Sequence, residues 1–296
     1  MPADGVIVAH GDDPDVLDVV RDAPCAVHTY GVDRPGMLSG AEWRGVDPVV
    51  DASGTRFHIV HANEGTLTSC GIRQAGLFNA LNALAAVGVA RALGVPSAEA
   101  ALALAEFRGV KRRMELRGVA RGTLIVDDFA HHPTAVTGTV EAARARFGKR
   151  KLIAVLEPRT NTSRRAIFQQ DYARAFGPAD CVVVRRVGDE AIYSATGDVA
   201  ERFSADELVR ALHAEGKRAI ALGEVGEIVD FLCDEAERGY VILVMSNGSF
   251  DGLFDELIAS LGGLDPGGLE ALLEEERVGD ARRVAEGLRR RDAAGR

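Results

Sequence analysis

The spacing of hydrophobic and polar positions changes near residue 118. Before that point short apolar runs mix with helical patterns. Val6–His10 reads as a buried strand, closed by Gly11-Asp12-Asp13-Pro14, a turn that leads into a helix predicted over 15–22. Residues 56–61 alternate as a strand does, with Phe57, Ile59 and His61 on one face. The clearest helix is predicted over 74–93, ended by Gly94 and followed by Pro96, and Ser97 opens another that runs to about Phe107. In the first of these, Leu77, Phe78, Leu81, Leu84 and Ala85 form an apolar stripe. Asn79 and Asn82 share a different face, beside Ala83 and Ala86.

From about 119 to 262 the alternation becomes regular. Apolar runs at 124–126, Leu152–Leu156, 181–184, 219–222 and Val241–Met245 are each of strand length. Helical stretches are predicted at 134–146, 164–176, 205–213, 225–237 and 250–261. Strands that are apolar throughout, joined by helices, require a mostly parallel sheet covered on both faces, so the fold class is α/β, Rossmann-like in this part. The tail, 263–296, carries Leu269, Leu272, Leu273, Val284 and Leu288 at helical spacing, with acidic residues early and arginines late. It reads as a surface helix or a frayed end.

Composition narrows the class. Hydrophobic residues make up 47% and charged residues 27%, inside the globular range. With 35 basic and 44 acidic side chains the net charge is −9, which excludes nucleic acid as the main partner while leaving room for a locally gripped nucleotide. No apolar run approaches the roughly 20 residues of a membrane span, and Met1 to Gly5 carry no signal-like pattern, so a cytoplasmic chain is expected. Cys25, Cys70, Cys181 and Cys233 are far apart with no C-x-x-C pair, and read as reduced thiols.

In a parallel α/β sheet ligands bind outside the carboxyl ends of the strands. Here those ends carry Asp127-Asp128-Phe129-Ala130-His131-His132-Pro133, then Glu157-Pro158-Arg159-Thr160-Asn161-Thr162-Ser163-Arg164, then Arg185-Arg186, and last Ser246-Asn247-Gly248-Ser249. Asp128 can accept from ribose hydroxyls and His131 can pair with phosphate or move a proton. Asp and His also suit a divalent metal, and the plain alternative is a capped helix start. Arg159 and Arg164 beside a helix start suit a carboxylate or phosphate. Asn79 and Asn82 offer paired carboxamides for an adenine edge, or are surface residues. Lys111-Arg112-Arg113 forms a cationic stretch at the junction of the two patterns. No G-x-x-x-x-G-K-[ST] and no G-x-G-x-x-G after a strand occurs anywhere in the chain.

At these residues the sequence resembles a known family. Phe78-Asn79-Ala80-Leu81-Asn82-Ala83-Leu84-Ala85-Ala86, Gly109-Val110-Lys111-Arg112-Arg113-Met114-Glu115 and the string from Asp127 to Pro133 are similar to the Mur ligases of peptidoglycan synthesis. The longer strings at 127–135, 156–162 and 242–248 look like one branch, the murein tripeptide ligases of cell-wall recycling. The likeness runs in order from about Gly5 to Gly262 and does not reach the tail.

The resemblance implies an ATP- and Mg2+-dependent reaction that joins L-Ala-γ-D-Glu-meso-diaminopimelate to UDP-N-acetylmuramate through an acyl phosphate. By matching motif positions it implies that Asn79 and Asn82 contact the nucleotide and Arg113 its phosphates. It puts Asp128 at the ribose with His131 close by, and makes Arg113 and His131 the candidate catalytic residues. Arg159, Asn161, Ser246 and Asn247 would receive the incoming peptide, and no metal ligand would lie in this chain. The implied domains are the rear of a P-loop-type ATP-binding domain without its phosphate loop (1–117), a substrate domain (118–262) and the tail (263–296). Phe78 stands where many of these ligases have His. With no phosphate loop, a chain truncated at its front and inactive alone is expected. The rival readings are a non-catalytic peptide- or nucleotide-binding remnant, and a metal phosphoesterase built on Asp127, Asp128, His131 and His132.

Overall fold

The computed structural model describes residues 1–160, 163–186, 193–194, 197–198, 202–265 and 267. The chain divides into two compact units, Met1–Gly109 and Val110–Arg296.

The first unit runs β1 (Val6–His10), α1 (Pro14–Val20), β2 (Ala26–Val32), β3 (Trp43–Asp51), β4 (Gly54–His61), β5 (Gly65–Ile72), α2 (Leu77–Ala92) and α3 (Ser97–Glu106). Its five-stranded sheet has the order β1-β2-β3-β4-β5, parallel from β1 to β3 and antiparallel beyond. Asp13 caps α1 by accepting from the Asp15 and Val16 amides, with Pro14 at the first helical position. Phe57, Ile59 and His61 are all buried on one face of β4, as their alternation requires.

The buried stripe of α2 differs from the expected one. It is Ala80, Ala83, Leu84, Val87 and Gly88, while Leu77 and Leu81 are only partly buried. The reason is close approach. A Cβ on Gly88 would lie 3.0 Å from Val8 Cγ1, so the helix seats its small residues, not its bulky ones, on the sheet. Leu84 is the large side chain at the centre, fully buried with Phe57, Ile59 and Val87. The pattern did not mark β2, β3 or β5 as strands. In β3 a bulge between Val46 and Val49, with Asp47 at φ 51°, breaks the alternation, and β5 is rich in Thr, Ser and Gly.

The second unit runs β6 (Glu115–Ala120), β7 (Thr123–Asp128), α4 (Pro133–Phe147), β8 (Leu152–Leu156), α5 (Gln169–Ala175), β9 (Cys181–Arg185), β10 (Tyr193–Ser194), β11 (Gly197–Asp198), α6 (Ala205–Ala214), β12 (Arg218–Leu222), α7 (Val225–Glu235), β13 (Val241–Met245) and α8 (Leu253–Ser260). The six-stranded sheet has the order β12-β9-β8-β13-β7-β6, parallel except for the antiparallel edge β6. The expected seam at 117/118 falls inside β6, which pairs with β7. Alternate residues of β7, β8, β9 and β13 face two separate cores, one beneath α4, α5 and α6 and one beneath α7 and α8.

Two predicted helices start later than their patterns suggest. The stretch from 164 begins with a 3-10 turn at Ala166–Phe168 before α5, and the stretch from 250 begins with a turn at Phe250–Gly252 before α8. In the second, Phe250 and Asp251 take φ values of 49° and 47°, outside the helical range. The tail reading of 263–296 lies almost wholly outside the described residues. Among the described residues no helix is long and apolar enough to cross a membrane.

No cysteine is in a disulfide, and burial pushes the Cys70 thiol up to about 11 and raises that of Cys181. Cys70 and Cys181, 2% and 0% exposed, are therefore expected to resist a thiol reagent at pH 8 in the native chain and to react only after denaturant is added. Counting labelled thiols by mass before and after unfolding checks this.

Candidate functional site

The pleat of β7 decides what its two terminal carboxylates do. Asp128 lies on the α4 side with Leu124 and Val126, and Asp127 on the α8 side with Ile125. Adjacent in sequence, they serve different environments. Asp128 is 2% exposed, and its oxygens accept from the Met114 amide (2.8 Å), the Ala130 amide (2.8 Å) and the Thr139 hydroxyl (3.2 Å). Burial raises its pKa, opposed by those three hydrogen bonds and by Arg113. The carboxylate thereby shapes the turn that presents His131, whose Nδ1 is 2.9 Å from the Phe129 carbonyl oxygen.

Asp127 faces Arg112 at 3.5 Å and Arg117 at 3.6 Å. These three line a cleft of about 280 Å³ with Gly248, Ser249, Gly252, Phe254 and Asp255. Burial raises the Asp127 pKa, and the two arginines only partly offset it. Arg112 also donates to the carbonyls of Ser246 (2.6 Å) and Gly248 (2.7 Å), joining the start of this unit to the end of β13. Arg112 and Met114 have φ values of 58° and 51°, and the strained backbone between them holds Arg113 exposed. The Arg112 and Arg113 guanidinium groups lie 5.2 and 5.4 Å from the Phe129 ring centroid.

The ends of β8, β9 and β13 are joined by charge. Glu157, 5% exposed, accepts from Arg185 Nη1 at 2.6 Å and from the Ser246 hydroxyl. The Ser246 oxygen in turn accepts from the Gly248 amide at 2.9 Å. Arg185 uses its other arm on Asp251 (2.5 Å) and lies 5.5 Å from the centroid of the buried Phe250 ring. Arg159 is exposed and rests on Gly248: a Cβ there would sit 2.0 Å from Arg159 Nη1. The Asn247 side-chain oxygen is buried without a hydrogen-bond partner.

The structure thus brings Arg113, Asp128, His131, Arg159, Ser246 and Asn247 to strand ends of one sheet. Asn161 lies outside the described residues. Asn79 and Asn82 belong to the other unit. Asn79 donates to the Ala75 carbonyl (2.9 Å) and Asn82 is exposed. Glu157, Arg185, Asp251 and Arg112 were visible only as members of strand-end strings, since a pairing across 66 residues, as in Arg185 with Asp251, leaves no local signal.

The phosphoesterase reading is corrected by the same geometry. Asp127 and Asp128 point to opposite faces, and His132 stacks edge-on against Phe168 at 4.7 Å. Among the described residues no three His, Cys, Asp or Glu side chains are grouped to hold a metal ion.

A parallel α/β sheet with polar loops gathered at its carboxyl ends defines a ligand-binding domain of the doubly wound class. Residues 1–90 match the Mur ligase middle domain and residues 112–248 the Mur ligase glutamate ligase domain. The chain belongs to the Mur ligases, a family of ATP-dependent amide ligases that act on peptidoglycan precursors.

It is 40% identical over 187 residues to UDP-N-acetylmuramate–L-alanyl-γ-D-glutamyl-meso-2,6-diaminoheptandioate ligase of Escherichia coli (strain K12), covering 63% of this chain and 38% of that one. It is 32% identical over 260 residues to UDP-N-acetylmuramate–L-alanine ligase of Paracidovorax citrulli (strain AAC00-1), covering 84% of this chain and 52% of that one. The crystal structure of a murein peptide ligase from Psychrobacter arcticus 273-4 superposes with a TM-score of 0.63 at 28% identity, over 90% of this chain and 53% of that one. The chain spans about half the length of the curated relatives it matches.

The raised pKa of Asp127 sets a pH dependence with a definite sign. The folded state holds the proton more tightly than the unfolded chain, so this group loses stabilising effect as pH rises from the usual 3.8 through the raised value. Asp127→Asn, which carries no charge to bury, is expected to gain stability relative to the natural chain between pH 3.5 and about 6.5. Urea midpoints of both proteins across that range check it; parallel curves count against it.

Proposed function

We propose that this chain is part of an ATP-dependent ligase that joins L-Ala-γ-D-Glu-meso-diaminopimelate to UDP-N-acetylmuramate in cytoplasmic peptidoglycan recycling. The observation that carries the reading is the meeting of a cationic fork, Arg159, with the glycine-containing loop Ser246-Asn247-Gly248 at one sheet edge. Such an arrangement suits an extended peptide that bears several carboxylates. The 40% identity to the Escherichia coli enzyme supports the choice of peptide.

In the reaction ATP phosphorylates the muramoyl carboxylate. The peptide amine then attacks the acyl phosphate, and the tetrahedral intermediate expels phosphate. The task of these residues is to hold polyanions and to orient an amine on a carbonyl. Asn79 and Asn82 contact the nucleotide, and Arg113, its guanidinium against Phe129, meets the phosphates. Asp128 serves the ribose end by fixing the turn that carries His131. Arg159, Asn161 and Asn247 take the peptide's charged ends, with Ser246 in the same loop. Magnesium accompanies ATP in such chemistry. The described residues offer no cluster for it, so none of these roles involves it. L-Alanine is the second reading for the incoming amine, favoured by relatives such as the Paracidovorax citrulli enzyme.

Calorimetry separates the two. The tripeptide is expected to bind, and L-alanine not measurably. Arg159→Ala is expected to weaken tripeptide binding by about tenfold or more, the loss of a charge-assisted fork. Gly248→Ala should do the same by displacing that guanidinium, with little change in the melting temperature. Tighter binding of L-alanine than of tripeptide would transfer the assignment to the alanine ligases.

A further inference from the structure

Arg185 is the one side chain that touches the ends of three strands at once. It stands at the end of β9, donates to Glu157 just past β8, and donates to Asp251 in the turn past β13. Both arms of its fork are occupied by carboxylates of the chain, and it is only 19% exposed. Each contact has a purpose in the loop of residues 246–251. Glu157, fixed by Arg185, receives the Ser246 hydroxyl, and that oxygen receives the Gly248 amide. At the far end of the loop Phe250 and Asp251 hold left-handed backbone, which non-glycine residues avoid. Arg185 stacks on the ring of the first and binds the carboxylate of the second. The loop is therefore clamped at both ends from one guanidinium. Arg159 rests on its centre at Gly248, and Asn247 lies beside it.

We infer that Arg185, with Glu157, is a positioning pair that holds the 246–251 loop in the shape on which Arg159 and Asn247 receive the carboxylates of an acidic peptide. The inference rests on the peptide-binding role given to this loop above. With both arms committed, Arg185 acts through the loop, not by meeting the ligand. Lysine cannot replace it, because an ammonium neither reaches two carboxylates in a fork nor stacks its plane on Phe250.

The test is calorimetry of the full chain with L-Ala-γ-D-Glu-meso-diaminopimelate. The proteins are the natural chain, Arg185→Lys, Glu157→Gln, Arg159→Ala and the double variant Arg159→Ala/Arg185→Lys. Arg185→Lys and Glu157→Gln are each expected to weaken binding about tenfold, although Arg185→Lys keeps the charge. The double variant should bind no more weakly than Arg159→Ala alone, because both changes remove the same contact. A purely structural weakening would instead add to the loss at Arg159. Thermal melts identify a variant that fails to fold, in which case the remaining one of Arg185→Lys and Glu157→Gln carries the comparison. Natural-like binding by Arg185→Lys, or additive losses in the double variant, overturns the positioning role while leaving the peptide assignment standing. No binding by the natural chain overturns the assignment and this inference with it.

Discussion

The second unit depends on one demand: polar groups collected at the end of a fully buried parallel sheet must satisfy one another. The strands β7, β8, β9 and β13 are apolar on both faces, so the first polar side chains after them leave the core at the same edge. Glu157 and Ser246 are all but inaccessible to solvent. A buried carboxylate without partners is costly, and this one is matched by a guanidinium and a hydroxyl. Asp128 meets the same demand with two backbone amides and a hydroxyl. The loops at this edge are shaped by the need to neutralise and hydrogen-bond those groups.

That demand has a second consequence. Side chains consumed in building the edge are not the ones presented to a ligand. Asp128 and Ser246 belong to the scaffold, whereas Arg113, Arg159 and Asn82 are exposed. Arg113 is presented by backbone strain on either side of it, and Arg159 by the missing side chain of Gly248. The site therefore has a stiff inner layer of buried ion pairs and an outer layer of exposed cations, an arrangement suited to anionic substrates.

In the first unit the governing contact is close packing of a helix on a sheet. Ala80, Ala83 and Gly88 let α2 approach β1 and β3, and Leu84 fills the space left at the centre. The same choice leaves Asn82 and Ala86 on the exposed side of the helix, so a carboxamide can be offered to solvent without disturbing the core.

Much of this was legible along the chain. Apolar runs of strand length alternating with helical stretches determined the parallel sheet, because a strand buried on both faces admits no polar positions. The strings after those strands placed Arg113, Asp128, His131, Arg159, Ser246 and Asn247 at its ends. What the pattern could not carry was any relation between distant positions. The bulge in β3, the seating of α2 on its small residues and the left-handed turn at Phe250 and Asp251 arise from steric fit, which has no period. The division of Asp127 from Asp128 depends on the pleat, and the grip of Arg185 on Glu157 and Asp251 depends on strand order. Sequence by itself determined which residues reach the edge of the sheet. Only the tertiary structure decided which of them hold the edge together and which are left free, since pairing of buried charges is settled by distance in space and not along the chain.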